Sequence, residues 1–160
     1  METDPLAVLS YEIQMYLGAR HLQGLQITQS APHSEKLKII LESALVEVKA
    51  LHIRILLEIF LERTKPENIN IDDILPDWRK EHADIIQSLE NAYNKIILKN
   101  GFTCKKCLNK FLAHPDKQRG DSFNWAPVIE IMDPPIKEAL RTLPKNKFFP
   151  LWFFSKYLNN

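Results

Sequence analysis

Glycine is scarce in this chain, four among 160 residues, and alternating strand-like patterns are few. Together these argue against a sheet fold and for an all-α protein. Cysteine is scarcer still, two in all, so no disulfide framework holds the fold, and with no signal peptide the expected setting is a reducing cytoplasm. No apolar run approaches the roughly 20 residues of a transmembrane helix; no membrane partner is expected. Charge of one sign is also lacking. Lys and Arg number 21 against 20 Asp and Glu, a net charge of +1, so any contact with nucleic acid must be local. Neither repeats nor low-complexity segments occur. A hydrophobic fraction of 45% is ordinary for one globular domain spanning residues 1–160.

What the chain does have is helical periodicity. Asp4-Pro5 reads as an N-cap followed by proline at the first helical position, opening a helix to about Gln26. After a loop at residues 28–34, Ser34 caps a second helix reaching about Arg63. Leu37, Ile40, Leu41, Ala44, Leu45, Val48, Leu51, Ile55 and Ile59 form its apolar stripe. At 1.5 Å per residue this helix is about 40 Å long and is expected to be the spine of a bundle. A connector with several isoleucines runs to Pro76. Asp77 then caps a third helix expected to end at Asn100-Gly101. Asn124 or Trp125 opens another, expected to break at Asp133-Pro134-Pro135 and to resume until Pro144. The tail, residues 145–160, is rich in aromatics and either folds back on the bundle or forms a subunit interface.

Chemistry crowds into residues 102–116, Phe-Thr-Cys-Lys-Lys-Cys-Leu-Asn-Lys-Phe-Leu-Ala-His-Pro-Asp. Thr103 can cap a short helix that Pro115 stops, placing Cys104, Cys107, Leu108 and Phe111 on one face. That expected helix almost continues the third. Cys104 and Cys107 have the spacing of half a zinc site, with His114 as a third ligand, but no second pair follows. A pair of buried reduced thiols is the simpler reading. Lys106, Lys110 and His114 fall on one helix edge, with the histidine at the helix end. Such a group beside cations suits acid–base cleavage of a phosphodiester; a solvated lysine edge with a capping histidine is the plainer alternative. Arg54 and Glu58 form an i, i+4 pair on the second helix.

Two segments carry a resemblance. Leu51-His52-Ile53-Arg54-Ile55-Leu56-Leu57-Glu58-Ile59-Phe60 resembles the second helix of HEPN domains (higher eukaryote and prokaryote nucleotide-binding). Asn109-Lys110-Phe111-Leu112-Ala113-His114, followed by Arg119 and Trp125, resembles the helix-end signature of that superfamily. The likeness covers about residues 5–143. It implies an up-and-down helical bundle of about five to six helices, commonly a homodimer, and metal-independent ribonuclease activity in toxin–antitoxin or phage-defence systems. The family motif is an arginine, four to six residues, then a histidine. His114 matches the histidine, whereas Asn109, Leu108 and Cys107 stand where the arginine is permitted. A lysine supplies charge there without the bidentate geometry of a guanidinium.

The expectation is therefore an RNA-directed protein without a cofactor. His114, Asn109 and Lys110 form the catalytic set, and Arg119, Arg54 and Lys106 face the phosphate. Its partners are a second copy, RNA and a cognate antitoxin or other partner protein. Two alternatives stand beside it: a catalytically inactive binding or dimerisation module, and a small zinc-binding protein built on Cys104 and Cys107.

Overall fold

A computed structural model of the chain describes residues 4–24, 35–61, 68–97, 101–113 and 123–158. The protein is all-α. Among the described residues there are nine helices: α1 (Pro5–Gly24), α2 (Glu35–Leu61), α3 (Ile71–Ile74), α4 (Trp78–Glu81), α5 (Ala83–Asn94), α6 (Cys104–Ala113), α7 (Ala126–Thr142), α8 (Phe149–Phe153) and α9 (Ser155–Leu158). Five of them run ten residues or more and form the bundle; the rest are single turns that tie it together. None of the described helices is long and apolar enough to cross a membrane.

Capping fixes the starts. Asp4 Oδ1 accepts from the Leu6 amide at 3.0 Å, as the Asp-Pro pair predicts. Thr103 Oγ1 accepts from the Lys106 amide at 3.2 Å and opens α6. Asn124 Oδ1 accepts from the Ala126 amide at 3.1 Å at the head of α7. Ser34 and the loop at 28–34 lie outside the described residues.

Helices α1 and α2 pack antiparallel over the most extensive contact in the molecule. Leu9, Ile13, Tyr16 and Leu17 of α1 meet Ile53, Leu56, Leu57 and Phe60 of α2 in the core, which α5, α6 and α7 complete with Leu89, Leu108, Met132 and Ile136. Helix α2 has no basic residue in its last turn. Arg79 supplies that charge from α4: its buried guanidinium donates to the carbonyls of Ile59 and Leu61, both at 3.2 Å. A cation on the last carbonyls of a helix satisfies orphan acceptors and the negative end of the dipole together.

Three expectations are corrected. The stripe of α2 marked in the sequence meets the core only at its end, where Ile59 is buried and Ile55 packs against the core. Leu37, Ile40 and Leu51 are 47%, 53% and 41% exposed, while Ala50, Ile53, Leu56, Leu57 and Phe60 are buried. The helix is apolar on opposite sides, and periodicity alone does not choose between them. Second, the third helix is two. It breaks at His82 and ends at Asn94, well before Gly101. Ile96 and Thr103 then form an isolated antiparallel bridge, with the Ile97 amide donating to the Phe102 carbonyl at 2.9 Å. Gly101 takes its positive φ of 79° within this reversal, so α6 does not continue α5 in line. Third, α7 runs unbroken through Pro134 and Pro135. Keeping the helix intact there holds Asp133 between α1 and α2, where it is bonded to both.

The tail folds back. Phe148, Leu151, Phe154 and Leu158 are buried, and the Arg141 guanidinium of α7 donates to the Leu158 carbonyl. Phe149, Trp152 and Phe153 stay outside.

Candidate functional site: a lysine-lined groove on α6

Helix α6 presents two unlike faces. Cys104, Cys107 and Leu108 are fully buried against the bundle. The other face, with the end of α5 and the reversal between them, walls a groove of about 590 Å³ lined by Asn94, Phe102, Thr103, Lys105, Lys106, Asn109 and Lys110. Three of the six site residues expected from the sequence, Lys106, Asn109 and Lys110, thus share one groove. Lys105 joins them. The ammonium of Lys110 sits 5.3 Å from the centre of the Phe102 ring, and that of Lys105 5.4 Å from the Tyr93 ring. Cation–π contact of this kind steadies a long side chain.

Among the described residues, no acidic one lines the groove. None occurs between Glu90 and Asp116 either, a stretch that holds five lysines. In a chain of net charge +1 this is the local concentration of positive charge that contact with a polyanion requires. A groove of this size takes a nucleotide-sized ligand.

The remaining expected site residues are not gathered there. Arg54 lies on α2, where its Nε donates to Glu58 Oε1 at 2.9 Å, and it does not line the groove. His114 and Arg119 lie outside the described residues; in sequence, His114 directly follows Ala113, the last residue of α6.

Cys104 and Cys107 are free, buried thiols. Burial, with the neighbouring Cys107, pushes the Cys104 thiol up to about 11; burial raises Cys107 as well. Zinc binds thiolates, which burial disfavours at both positions; no group of three potential metal ligands gathers among the described residues, and His114, the third ligand expected, lies outside them. Accordingly, neither cysteine is expected to react with a disulfide reagent at pH 8 in the native protein. Both should react on unfolding in urea, as thiol titration with and without denaturant will show.

No protein-family model, curated protein or solved structure matches the chain. Its chemistry is read from its own residues.

One cluster in those residues escapes sequence reading. On the core side of α1, α2 and α7, six polar side chains meet. Asp133 of α7 accepts from the Tyr16 hydroxyl at 2.8 Å, and its Oδ1 is 2.6 Å from the Lys49 ammonium. Lys137, one turn along α7, lies 3.6 Å from Asp133 Oδ2. One turn along the α1–α2 pair, His52 Nδ1 donates to Glu12 Oε2 at 2.5 Å. Lys49, Lys137, Glu12 and His52 are each more than nine-tenths buried. Burial, the largest influence on the Asp133 carboxyl, acts to raise it. The charge and hydrogen bond of Lys49, the Tyr16 hydroxyl and the charge of Lys137 together overcome burial and hold it below the usual carboxylate range. Glu12 and Tyr16, Lys49 and His52, and Asp133 and Lys137 are each one turn apart on their helices. That shared spacing was the available signal, but it reads equally as three solvated helix faces.

Proposed function

We propose that the chain is an RNA-directed protein of HEPN type whose α6 groove takes a single RNA strand. The observation that carries this reading is the groove formed by Lys105, Lys106, Asn109 and Lys110 beside Phe102, with no acidic residue among its described lining. Lysine ammoniums recognise phosphates as point charges, Asn109 offers a donor and an acceptor, and Phe102 gives the groove an apolar wall for a sugar or base.

His114 adds the chemistry. In this reading its imidazole takes the proton from a ribose 2′-hydroxyl as that oxygen attacks the adjoining phosphorus. The bond from phosphorus to the 5′-oxygen breaks, and the imidazolium returns the proton to that oxygen. The products are a 2′,3′-cyclic phosphate and a 5′-hydroxyl end, with no metal or water consumed. Lys106 and Lys110 offset the charge that builds on the phosphate. The toxin or phage-defence setting, with a cognate antitoxin, is what the HEPN resemblance adds.

A second reading, an inactive RNA-binding module, is favoured by one observation: Arg54 is paired with Glu58 on α2, so the described part of the groove holds no guanidinium. Cleavage of mixed RNA by the wild-type chain and by His114→Ala separates the two. Cyclic-phosphate ends are expected from the wild type, with a loss on the order of a hundredfold in the variant. Equal activity in both proteins rules out the enzyme and leaves the binding module.

A further inference from the structure

We propose that the outer face of α8 lies on an anionic lipid bilayer, with Phe149, Trp152 and Phe153 seated among the headgroups. These three side chains are 68%, 65% and 56% exposed and fall at i, i+3 and i+4, one face of a single turn. Their rings form one cap: Phe149 stands 5.8 Å from Trp152 and 6.0 Å from Phe153, centre to centre. The opposite face pins the turn to the bundle through Phe148, Leu151 and Phe154, all buried, and the Phe154 amide donates to the Pro150 carbonyl at 2.9 Å. From Phe148 to Phe154 the only polar side-chain group is the Trp152 indole N–H. Aromatic rings of this kind settle at the headgroup level of a bilayer, the indole with its apolar body inward and its N–H toward water. A chain without a spanning helix needs only such a face to lie on a membrane.

The charge around the cap selects the occupant. From Ala139 to Asn160 the chain holds four basic residues and no acidic one, against a net charge of +1 for the whole. Lys145 and Lys156 are exposed, the first four residues before Phe149 and the second three after Phe153, so their backbones lie within about 15 Å of the cap. Lys147 is exposed as well, but it lines a pocket with Asp4 and Asp73, whose carboxylates offset it, and the Arg141 guanidinium is taken up by the Leu158 carbonyl. An aromatic centre flanked by exposed lysines matches a bilayer with anionic headgroups: the rings enter the interfacial layer and the ammoniums meet the lipid charge. A second copy seated on this face would set lysines against lysines. A nucleic-acid strand places successive bases on rings spaced along a basic groove, whereas these three rings pack against one another on an exposed turn.

Vesicle co-sedimentation of the whole chain tests it. Vesicles of phosphatidylcholine with roughly one-third phosphatidylserine are expected to bind the chain about tenfold or more tighter than phosphatidylcholine alone, since each lysine near an anionic surface adds roughly fivefold. Phe149→Ser/Phe153→Ser should weaken that binding about tenfold or more. Lys145→Gln/Lys156→Gln should remove the preference for the anionic vesicles. Trp152 reports where the face sits: the other two tryptophans, Trp78 and Trp125, are 3% and 4% exposed, so acrylamide quenching reads chiefly Trp152. Vesicles should shield it, and lipids brominated on the acyl chain near the headgroup should quench it. If the serine pair disturbs the fold, seen as a changed circular dichroism, the glutamine pair and the Trp152 quenching make the same test. A chain that binds neither vesicle overturns the proposal, and so does binding that neither pair of substitutions alters. Shielding of Trp152 by protein concentration alone overturns it in favour of a second copy, and shielding by single-stranded RNA but not by vesicles overturns it in favour of a nucleic-acid surface.

Discussion

Replacing Asp133 with asparagine is expected to destabilise the fold by about 3–5 kcal/mol, the usual consequence of removing one partner from a buried ion pair. The carboxylate has three neighbours at once: Tyr16 at 2.8 Å, Lys49 at 2.6 Å and Lys137 at 3.6 Å. Asparagine keeps the shape but leaves two buried ammoniums facing each other without their shared anion. In a domain of this length each kcal/mol shifts the melting temperature by about 2–4 °C, so a drop of roughly 10 °C is expected by calorimetry. The companion variant moves the other way. Lys49→Met/Asp133→Leu/Lys137→Met removes the charges together, and buried ion networks replaced in this way are commonly neutral or more stable by about 1–4 kcal/mol. If Asp133→Asn melts with the wild type, the cluster is wet and its charges are screened.

The same carboxylate sets an acid limit. Its folded pKa is depressed, so its contribution is fully present above the unfolded value of about 3.9 and is lost as pH falls through the folded value. Urea midpoints followed downward from pH 5 should therefore fall more steeply for the wild type than for the triple apolar variant, which lacks the Asp133 carboxyl.

How much of this was legible in the residues differs by layer. Helix starts were legible at Asp4, Thr103 and Asn124, each of which accepts the hydrogen bond its identity predicts, but not at Asp77, which opens α4 at a positive φ of 63° with no side-chain cap bond. The buried face of α6 was legible too, since Cys104, Cys107 and Leu108 share one stripe and that stripe is the core. The long helix was legible as a helix but not in its orientation. Most of the long apolar pattern on α2, from Leu37 to Leu51, lies outside the core, and Ile53, Leu56, Leu57, Ile59 and Phe60 lie inside, because only tertiary packing decides which side meets α1 and α7. The prolines misled for a related reason. Pro134 and Pro135 carry a local preference to end a helix, and the bonds of Asp133 to Tyr16 and Lys49 reward its continuation. The groove lay between these cases. Lys106, Asn109 and Lys110 were read on one short helix, but their opposite wall, Asn94 and Phe102, comes from a chain reversal that no periodicity announces.

Reversing two groove charges, Lys106→Glu/Lys110→Glu, is expected to weaken binding of single-stranded RNA about a hundredfold at low salt without changing the melting temperature. Neither ammonium lies in the core. Lys106 is exposed, and Lys110 extends across the Phe102 ring at the groove wall. A loss of affinity without a loss of stability would therefore report on the ligand and not on folding. The salt dependence makes the reading sharper. Each phosphate neutralised on a single strand contributes about 0.7 to the slope of log affinity against log salt, so Lys106→Ala/Lys110→Ala should flatten that slope by roughly 1.4. Lys80→Ala/Lys156→Ala is the control, because these exposed lysines lie off the groove and should leave the slope as it is. A slope that falls equally in both pairs would mean that RNA meets only diffuse positive charge. A slope that falls in the α6 pair alone would mean that phosphates lie along α6, next in sequence to His114, as transfer of a 2′-hydroxyl proton to its imidazole requires.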